Sequence, residues 1–367
     1  MIASFLEHFS DLEDPRFPGF VTYPLPEILV AALVGVVCGA EDWDEIVLFC
    51  EEKMDVLRQF LPYKNGVASA KTFWRVFDFL NSQSFADRFV AWVAALIGSV
   101  KGVVAIDGKT MRGARQPTGS EKALHVLSAF AHDAGMVIGQ RCVDGKSNEI
   151  TAIPLLLETL ALEGTIVTID AMGTQKIIAQ AILGKKADYL LALKGNQSSL
   201  HDDVKLFFAD PELAKSCDLS ATTDHGHGRI EERVCRATDN IAWLKERHPD
   251  WVGLRSIAAI TSARPDKKAG TTTVETRFYI TSLRPVAAVI LAATRPHWSI
   301  ENNLHWMLDV IMGEDLCQTR KKHAALNLAS IRKLALGLLK RHPAKIPIKR
   351  KIKKASCNND FLLSIFR

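Results

Sequence analysis

Three acidic residues stand where apolar segments end or where a helix presents one edge. Asp107 follows the apolar run 103–106, Asp170 follows the run 165–169, and Glu301 lies at the edge of an apolar stripe with helical spacing. Carboxylates that crowd together repel one another unless cations neutralise them, and oxygen ligands of this kind suit Mg²⁺ or Mn²⁺. Two such ions can activate a hydroxyl group and stabilise the leaving oxygen in phosphodiester chemistry.

The Asp107-Gly108 pair alone has a simpler interpretation. Asp and Gly both favour tight turns, so the apolar strand before them could end in an ordinary turn. A metal site requires partners for Asp107, and the order of the predicted elements decides whether Asp170 lies beside it.

The elements around these residues follow an order that is typical of one fold. Apolar and helical periodicity predicts strands 103–106, 124–131 and 136–143, a helix 150–162, a strand 165–170, a helix 174–183 and a strand 188–193. Three strands in meander order, then helix, strand, helix and strand, is the order of a ribonuclease H-like fold. Its first strand is central and its fourth lies beside it, so Asp107 and Asp170 would be neighbours at the C-terminal ends of their strands. We therefore predict an α/β protein with a ribonuclease H-like mixed sheet flanked by helices.

The other segments extend this core. The predicted domains are a helical N-terminal domain 1–100, the first part of the core 101–199, an inserted antiparallel β subdomain 200–284, the helical completion of the core 285–340 and a basic C-terminal tail 341–367. The β subdomain is predicted from three strands, 230–236, 252–261 and 272–280. In the helical completion, a buried stripe is predicted at i, i+4, i+7 and i+11, namely Ile300, Leu304, Met307 and Ile311.

Composition narrows the class of protein. A chain of 367 residues with 48% hydrophobic and 24% charged residues is typical of a soluble globular protein. The longest apolar run, 28–38, is about half of the roughly 20 residues that span a bilayer, so it is predicted to be a buried helix. The seven cysteines are scattered without Cys-x-x-Cys spacing, which predicts a reducing cytoplasm rather than a disulfide framework.

The positive charge gathers near the C-terminus. Residues 320–354 contain thirteen Lys and Arg and no Asp or Glu. Such a run is presented to a polyanion or forms a solvated tail. In the first case it would add salt-sensitive affinity for nucleic acid that is independent of base sequence.

Several further side chains are candidates for phosphate or base contacts. They are Lys109, Arg112, Lys194, Asn196, Arg295, His297 and Trp298. Lys109 and Arg112 could instead form surface salt bridges, and Trp298 could belong to the core rather than stack on bases. His297, Glu301 and His305 also have the i, i+4, i+8 spacing of a helical zinc site, although no fourth ligand is evident.

Longer motifs point to a family. The matching stretches are 107–112 (DGKTMR), 146–150 (KSNEI), 170–175 (DAMGTQ), 188–197 (DYLLALKGNQ), 227–231 (HGRIE) and 297–306 (HWSIENNLHW), with 308–310 (LDV) after them. Shorter matches are 23–25, 39–43, 314–315 and Asn327. With these motifs, which cover nearly the whole chain, the sequence resembles the DDE-type insertion-sequence transposases, specifically the H-repeat-associated (ISAs-type) family.

The resemblance implies a site and a reaction. Its catalytic triad falls on Asp107, Asp170 and Glu301, which would hold two Mg²⁺ ions per site, with Mn²⁺ as a substitute. The wider superfamily places a Lys one to two turns after its Glu, whereas Leu308 stands seven residues after Glu301 here. That role is therefore unfilled at this position.

We accordingly predict a cytoplasmic, nucleoid-associated transposase that cleaves and transfers DNA strands. Its expected partner is double-stranded DNA, both element ends and target, on which it would act as a homodimer or larger assembly, with no membrane association. The N-terminal helices would bind DNA or serve only in packing. The alternatives are a DNA-binding protein descended from a transposase and no longer catalytic, and a ribonuclease H-like nuclease unrelated to transposition.

Overall fold

The computed structural model describes residues 1–114, 123–143, 148–226, 229–266, 271–319 and 321–367. Parts of two family motifs, 146–147 and 227–228, and Arg320 of the basic run lie outside these ranges. The α-helices are α1 Ile2–His8, α2 Leu25–Cys38, α3 Trp43–Glu52, α4 Met54–Leu57, α5 Ala70–Phe79, α6 Ser82–Ile97, α7 Glu149–Glu158, α8 Lys176–Gly184, α9 Ser198–Ala209, α10 Pro211–Lys215, α11 Ala242–Arg247, α12 Ala287–Ile300, α13 Lys322–Arg341, α14 Ile348–Cys357 and α15 Asn359–Ile365. The strands are β1 Val103–Thr110, β2 His125–Ala131, β3 Met136–Val143, β4 Ile166–Ile169, β5 Asp188–Leu193, β6 Asp218–Gly226, β7 Arg229–Thr238, β8 Ser256–Asp266 and β9 Thr271–Thr281.

These strands form one mixed sheet in the order β3-β2-β1-β4-β5-β9-β8-β7-β6. β1, β4 and β5 pair in parallel, β2 and β3 pair antiparallel, and β5, β9, β8, β7 and β6 pair antiparallel in succession. The first strand is therefore central and the fourth lies beside it. The predicted ribonuclease H-like mixed sheet flanked by helices, with an antiparallel β insertion, is confirmed.

Strand β1 does not end at Asp107. It continues through Thr110, and the Met111 amide then donates to the Leu124 carbonyl at 2.8 Å. The Asp107-Gly108 pair is thus extended backbone rather than a turn, because the strand continues on both sides of it. Strand β4, in contrast, ends at Ile169, directly before Asp170.

Strand β6 was not predicted from the sequence, which indicated only three strands in the insertion. It pairs with β7 from Asp218 to Gly226 at the edge of the sheet. Its sequence, DLSATTDHG, is mainly polar and exposed. An edge strand with little buried side-chain surface has no apolar alternation to reveal it.

The chain divides into two compact units. The first comprises Met1–Ser99, Gly108–Asn148 and Ile300–Arg367, and the second comprises Val100–Asp107 and Glu149–Ser299. In the first, α2 is buried on nearly every side and α13 packs against α2, α5 and α6. In the second, α12 packs on β7, β8 and β9 through buried small and aliphatic residues such as Ala258, Ile260 and Ile290. Among the described residues, no helix is long and apolar enough to cross a membrane.

After Ile300 the helix widens. Glu301–His305 and Met307–Ile311 are π-helical, and the Met312 amide donates to the Met307 carbonyl at 3.1 Å, five residues back. The fully buried residues are consequently four apart, Ile300, Leu304, Leu308 and Met312. The predicted stripe was wrong in its second half, since Met307 and Ile311 are only partly buried. Its spacing assumed an ordinary α-helical turn.

Candidate active site

Asp107 and Asp170 occupy matched positions on two neighbouring parallel strands. The preceding residues, Ile106 and Ile169, are register partners in β1 and β4. Adjacent strands lie roughly 4.8 Å apart, so these two half-buried residues follow neighbouring positions of the backbone. One carboxylate oxygen of Asp170 also accepts a hydrogen bond from the Gly173 amide at 3.1 Å, which orders the turn after β4.

A cavity of about 50 Å³ lies against Asp170. His297 lines it, with Nδ1 3.2 Å from the Thr168 hydroxyl. Burial lowers the pKa of His297 to about 4, and the nearby Asp170 carboxylate opposes this only in part. The imidazole is therefore neutral near neutral pH. It can exchange a hydrogen bond but carries no charge for a phosphate.

Lys194 and Asn196 follow β5 beside the same cavity. Lys194 is exposed and lines it. Asn196 donates from Nδ2 to the Ala171 carbonyl at 2.6 Å, immediately after Asp170. Asn196 thus fixes the β4 turn, while Lys194 presents a cation to the cavity.

Trp298 and Arg277 stand together at the cavity wall. The Arg277 guanidinium lies 4.4 Å from the centre of the Trp298 ring, and 38% of Trp298 remains exposed. Arg277 also donates to Glu275 at 2.8 and 3.1 Å. Trp298 was predicted from the sequence, whereas Arg277 was not. The signal was the alternation of Glu275, Arg277 and Tyr279 along β9, which puts all three on one face of the sheet.

The other predicted phosphate contacts differ in exposure. Arg295, in the second unit, pairs with Asp224 at 2.7 Å and keeps 64% of its side chain exposed. Arg112, in the first unit, is 84% exposed, with Nε 3.9 Å from an Asp315 oxygen. Both are accessible to a ligand, and their predicted role remains a prediction.

Lys109 forms ion pairs, which was the predicted alternative to a phosphate contact, but it forms them below the surface rather than on it. Its ammonium lies 2.6 Å from Asp309, 2.6 Å from Glu314 and 3.4 Å from Asp315, and only 11% of the side chain is exposed. Burial opposes its charge, but Glu314 and Asp309 outweigh burial and raise the pKa of Lys109. We call these four residues the Lys109 cluster. A phosphate would have to displace three carboxylates, of which Glu314 is buried, to reach this single cation.

Glu301 belongs to the first unit and opens the π-helical segment with its side chain exposed. His305, one turn later, is largely buried, and burial with the nearby Lys333 and Lys109 lowers its pKa to about 3. In the described part of the chain, no three His, Cys, Asp or Glu side chains form a group that could hold a metal ion. The adjacent pair of Asp107 and Asp170 does have the hard oxygen donors that Mg²⁺ and Mn²⁺ prefer.

Known proteins match this chain over nearly its whole length. The family model described as DDE_Tnp_1-associated matches residues 6–93, and the one described as Transposase DDE domain matches residues 98–338. The chain is 37% identical to the "Putative transposase YncI" of Escherichia coli O157:H7, over 98% of this chain and 94% of that protein. It is 37% identical to the "H repeat-associated putative transposase YhhI" of Escherichia coli strain K12, over 99% of this chain and 98% of that protein.

Two further matches are more limited. The "Inactive transposase YbfQ" of Escherichia coli strain K12 is 33% identical over 20% of this chain and 89% of that protein. Among solved structures, a piggyBac transposase synaptic complex with hairpin DNA gives a TM-score of 0.46 at 12% identity, covering 100% of this chain and 81% of that one.

Proposed function

Because this chain belongs to the family of transposases with a DDE domain, we propose that it binds the ends of its own insertion element and cuts and joins DNA strands there. Family membership confirms the resemblance found in the sequence motifs. Two ends must be joined in such a reaction, so the acting form is a homodimer or larger assembly on double-stranded DNA.

The observation that carries the catalytic proposal is the shared register of β1 and β4 ahead of Asp107 and Asp170. Two carboxylates at matched positions, one in β1 and one directly after β4, would form the acidic pair that phosphodiester chemistry needs. With Glu301 as the third member, they would hold Mg²⁺ or Mn²⁺. When bound, two such ions activate the attacking hydroxyl and stabilise the leaving oxygen.

The other side chains around Asp170 hold this carboxylate in position or face the substrate. Asn196 holds the turn that carries Asp170, and Thr174 donates from its hydroxyl to the Ala192 carbonyl at 2.5 Å, joining that turn to β5. Because its pKa is low, His297 stays neutral, so it can form a hydrogen bond but does not attract an anion. Lys194 supplies the cation that faces an incoming phosphate.

The test is cleavage of labelled element ends with Mg²⁺ or Mn²⁺, followed by capture of a target duplex. Asp107→Asn, Asp170→Asn and Glu301→Gln should each lower cleavage by at least about 100-fold while retaining DNA binding, because each removes a metal ligand but little volume. A matched control is Glu163→Gln. Glu163 precedes β4 at its opposite end, is 74% exposed and pairs with Lys186 at 3.4 Å, so cleavage should be unchanged.

The outcomes separate the alternatives. Equal cleavage by the three variants would remove the catalytic assignment. A natural protein that binds ends without cutting them would be a non-catalytic descendant of a transposase. Cutting without joining would indicate a nuclease.

A further inference from the structure

One face of the β insertion carries three arginines. Arg233 on β7, Arg264 on β8 and Arg277 on β9 share this face because side chains alternate along a strand and the register is continuous from β7 to β9. They line a groove of about 290 Å³ beyond the last turns of α12. We call Arg233, Arg264, Arg277 and Trp298 the arginine groove; all four lie in the second unit.

The groove adjoins the cavity at Asp170. Four residues line both spaces, namely Arg277, Tyr279, Thr294 and Trp298. A chain molecule with a reacting phosphate near Asp170 would therefore pass Arg277 and Trp298 before it reached Arg233 and Arg264.

The cations in the groove outnumber the carboxylates paired with them. Glu231 is shared: its two oxygens each lie 2.7 Å from a guanidinium nitrogen, one of Arg233 and one of Arg264. Burial opposes its ionisation, but the hydrogen bonds from both arginines hold the pKa of Glu231 below its ordinary value. One anion bridging two guanidiniums from neighbouring strands has the geometry of a phosphate contact.

We propose that the arginine groove binds the backbone of an unpaired DNA strand leading away from Asp170, with one phosphate taking the place of Glu231 between Arg233 and Arg264. Trp298 supplies the surface on which a base of that strand stacks, since base faces are accessible only where the strand is unpaired. Glu231 is then an internal competitor that keeps both arginines ordered when DNA is absent. This inference rests on the proposed function and names how its substrate is held.

The test measures anisotropy of a labelled single-stranded oligonucleotide over a salt series, with chelator present so that binding is separated from cleavage. Arg233→Gln and Arg264→Gln should each lower the slope of log affinity against log salt by about 0.7, which is about a five-fold loss at about 0.1 M salt. Arg236→Gln is the matched control. It removes the same charge from β7, but its side chain is on the opposite face of the sheet, so its slope should stay close to that of the natural protein.

Two more variants distinguish binding from a merely structural role. Glu231→Gln should tighten binding several-fold, because it removes the competing anion and leaves both arginines in place. Trp298→Leu should weaken binding about ten-fold through lost stacking, and Trp298→Phe should restore most of it.

Three results would overturn the inference. Unchanged slopes for both arginine variants would exclude the groove even if the natural protein still cuts element ends. A loss of affinity in Glu231→Gln would make the ion pairs structural. Equal losses on a blunt duplex and on a single strand would exclude an unpaired strand. Failure of the natural protein to cut would instead refute the proposed function, with the binding results still interpretable.

Discussion

The Lys109 cluster and the arginine groove contain the same kinds of charge in opposite proportions. In the cluster, one ammonium that is 11% exposed faces three carboxylates. In the groove, two guanidiniums share one carboxylate, and the Arg233 and Arg264 side chains are 17% and 50% exposed. A buried cation with surplus anions stabilises the fold, because removing it leaves desolvated charges unpaired. A pair of cations with too few anions, one of them half exposed, is available to a ligand. The ratio of cations to anions and the exposure of Arg264, rather than the presence of Lys or Arg, separate the two roles.

The largest effect on the free energy of unfolding should come from Lys109→Met. It leaves Asp309, Glu314 and Asp315 without their common cation, and breaking a buried pair costs about 3–5 kcal/mol. Urea unfolding followed by circular dichroism measures the change. Arg112→Met is the control and should shift the unfolding free energy by less than about 0.5 kcal/mol, since Arg112 is 84% exposed. A Lys109 variant of natural stability that no longer bound DNA would return Lys109 to the phosphate role.

The next-largest effect is a loss of stability at low pH, to which one histidine in each unit contributes. His305 and His297 have folded pKa values of about 3 and about 4, below the ordinary 6.5, mainly through burial. The unfolded chain therefore binds more protons than the folded one below about pH 6.5, and stability falls as the pH falls through that window. Each histidine should cost about 2 kcal/mol at about pH 5 relative to pH 7.

Urea unfolding at the two pH values measures this dependence of stability on pH. His305→Gln should flatten the pH dependence by one histidine's share. A dependence as steep as that of the natural protein would mean that carboxylates, not His305, control acid unfolding.

The smallest effect on stability should come from the groove. Arg264→Gln removes a half-exposed ion pair with Glu231, which contributes about 0–1 kcal/mol. Its thermal unfolding midpoint should stay near that of the natural protein although its affinity for single-stranded DNA falls. A large drop in the midpoint would erase the contrast with the Lys109 cluster.

The sequence was most informative where structure depends on neighbours along the chain. The apolar run of β5 was predicted with its observed bounds, and the strand order placed Asp107 beside Asp170 because parallel strands share an edge. Features set by distant contacts were not accessible. Lys109 meets Glu314 across 205 residues, and Arg264 meets Glu231 only through the β7–β8 register. Polar β6 gave no apolar signal because its side chains are largely exposed.

The π-helical segment makes the number of residues after Glu301 matter more than their identity. If the same residues wound as a regular α-helix, each would turn the chain by about 100°, which is more than a residue of the wider π-helical turn does. The difference would accumulate along the segment, and Asp309 would rotate away from its position 2.6 Å from Lys109. The number of residues between Glu301 and Asp309 is therefore matched to the wide turns, whereas an exposed side chain such as that of Asn302 can be exchanged without changing that match.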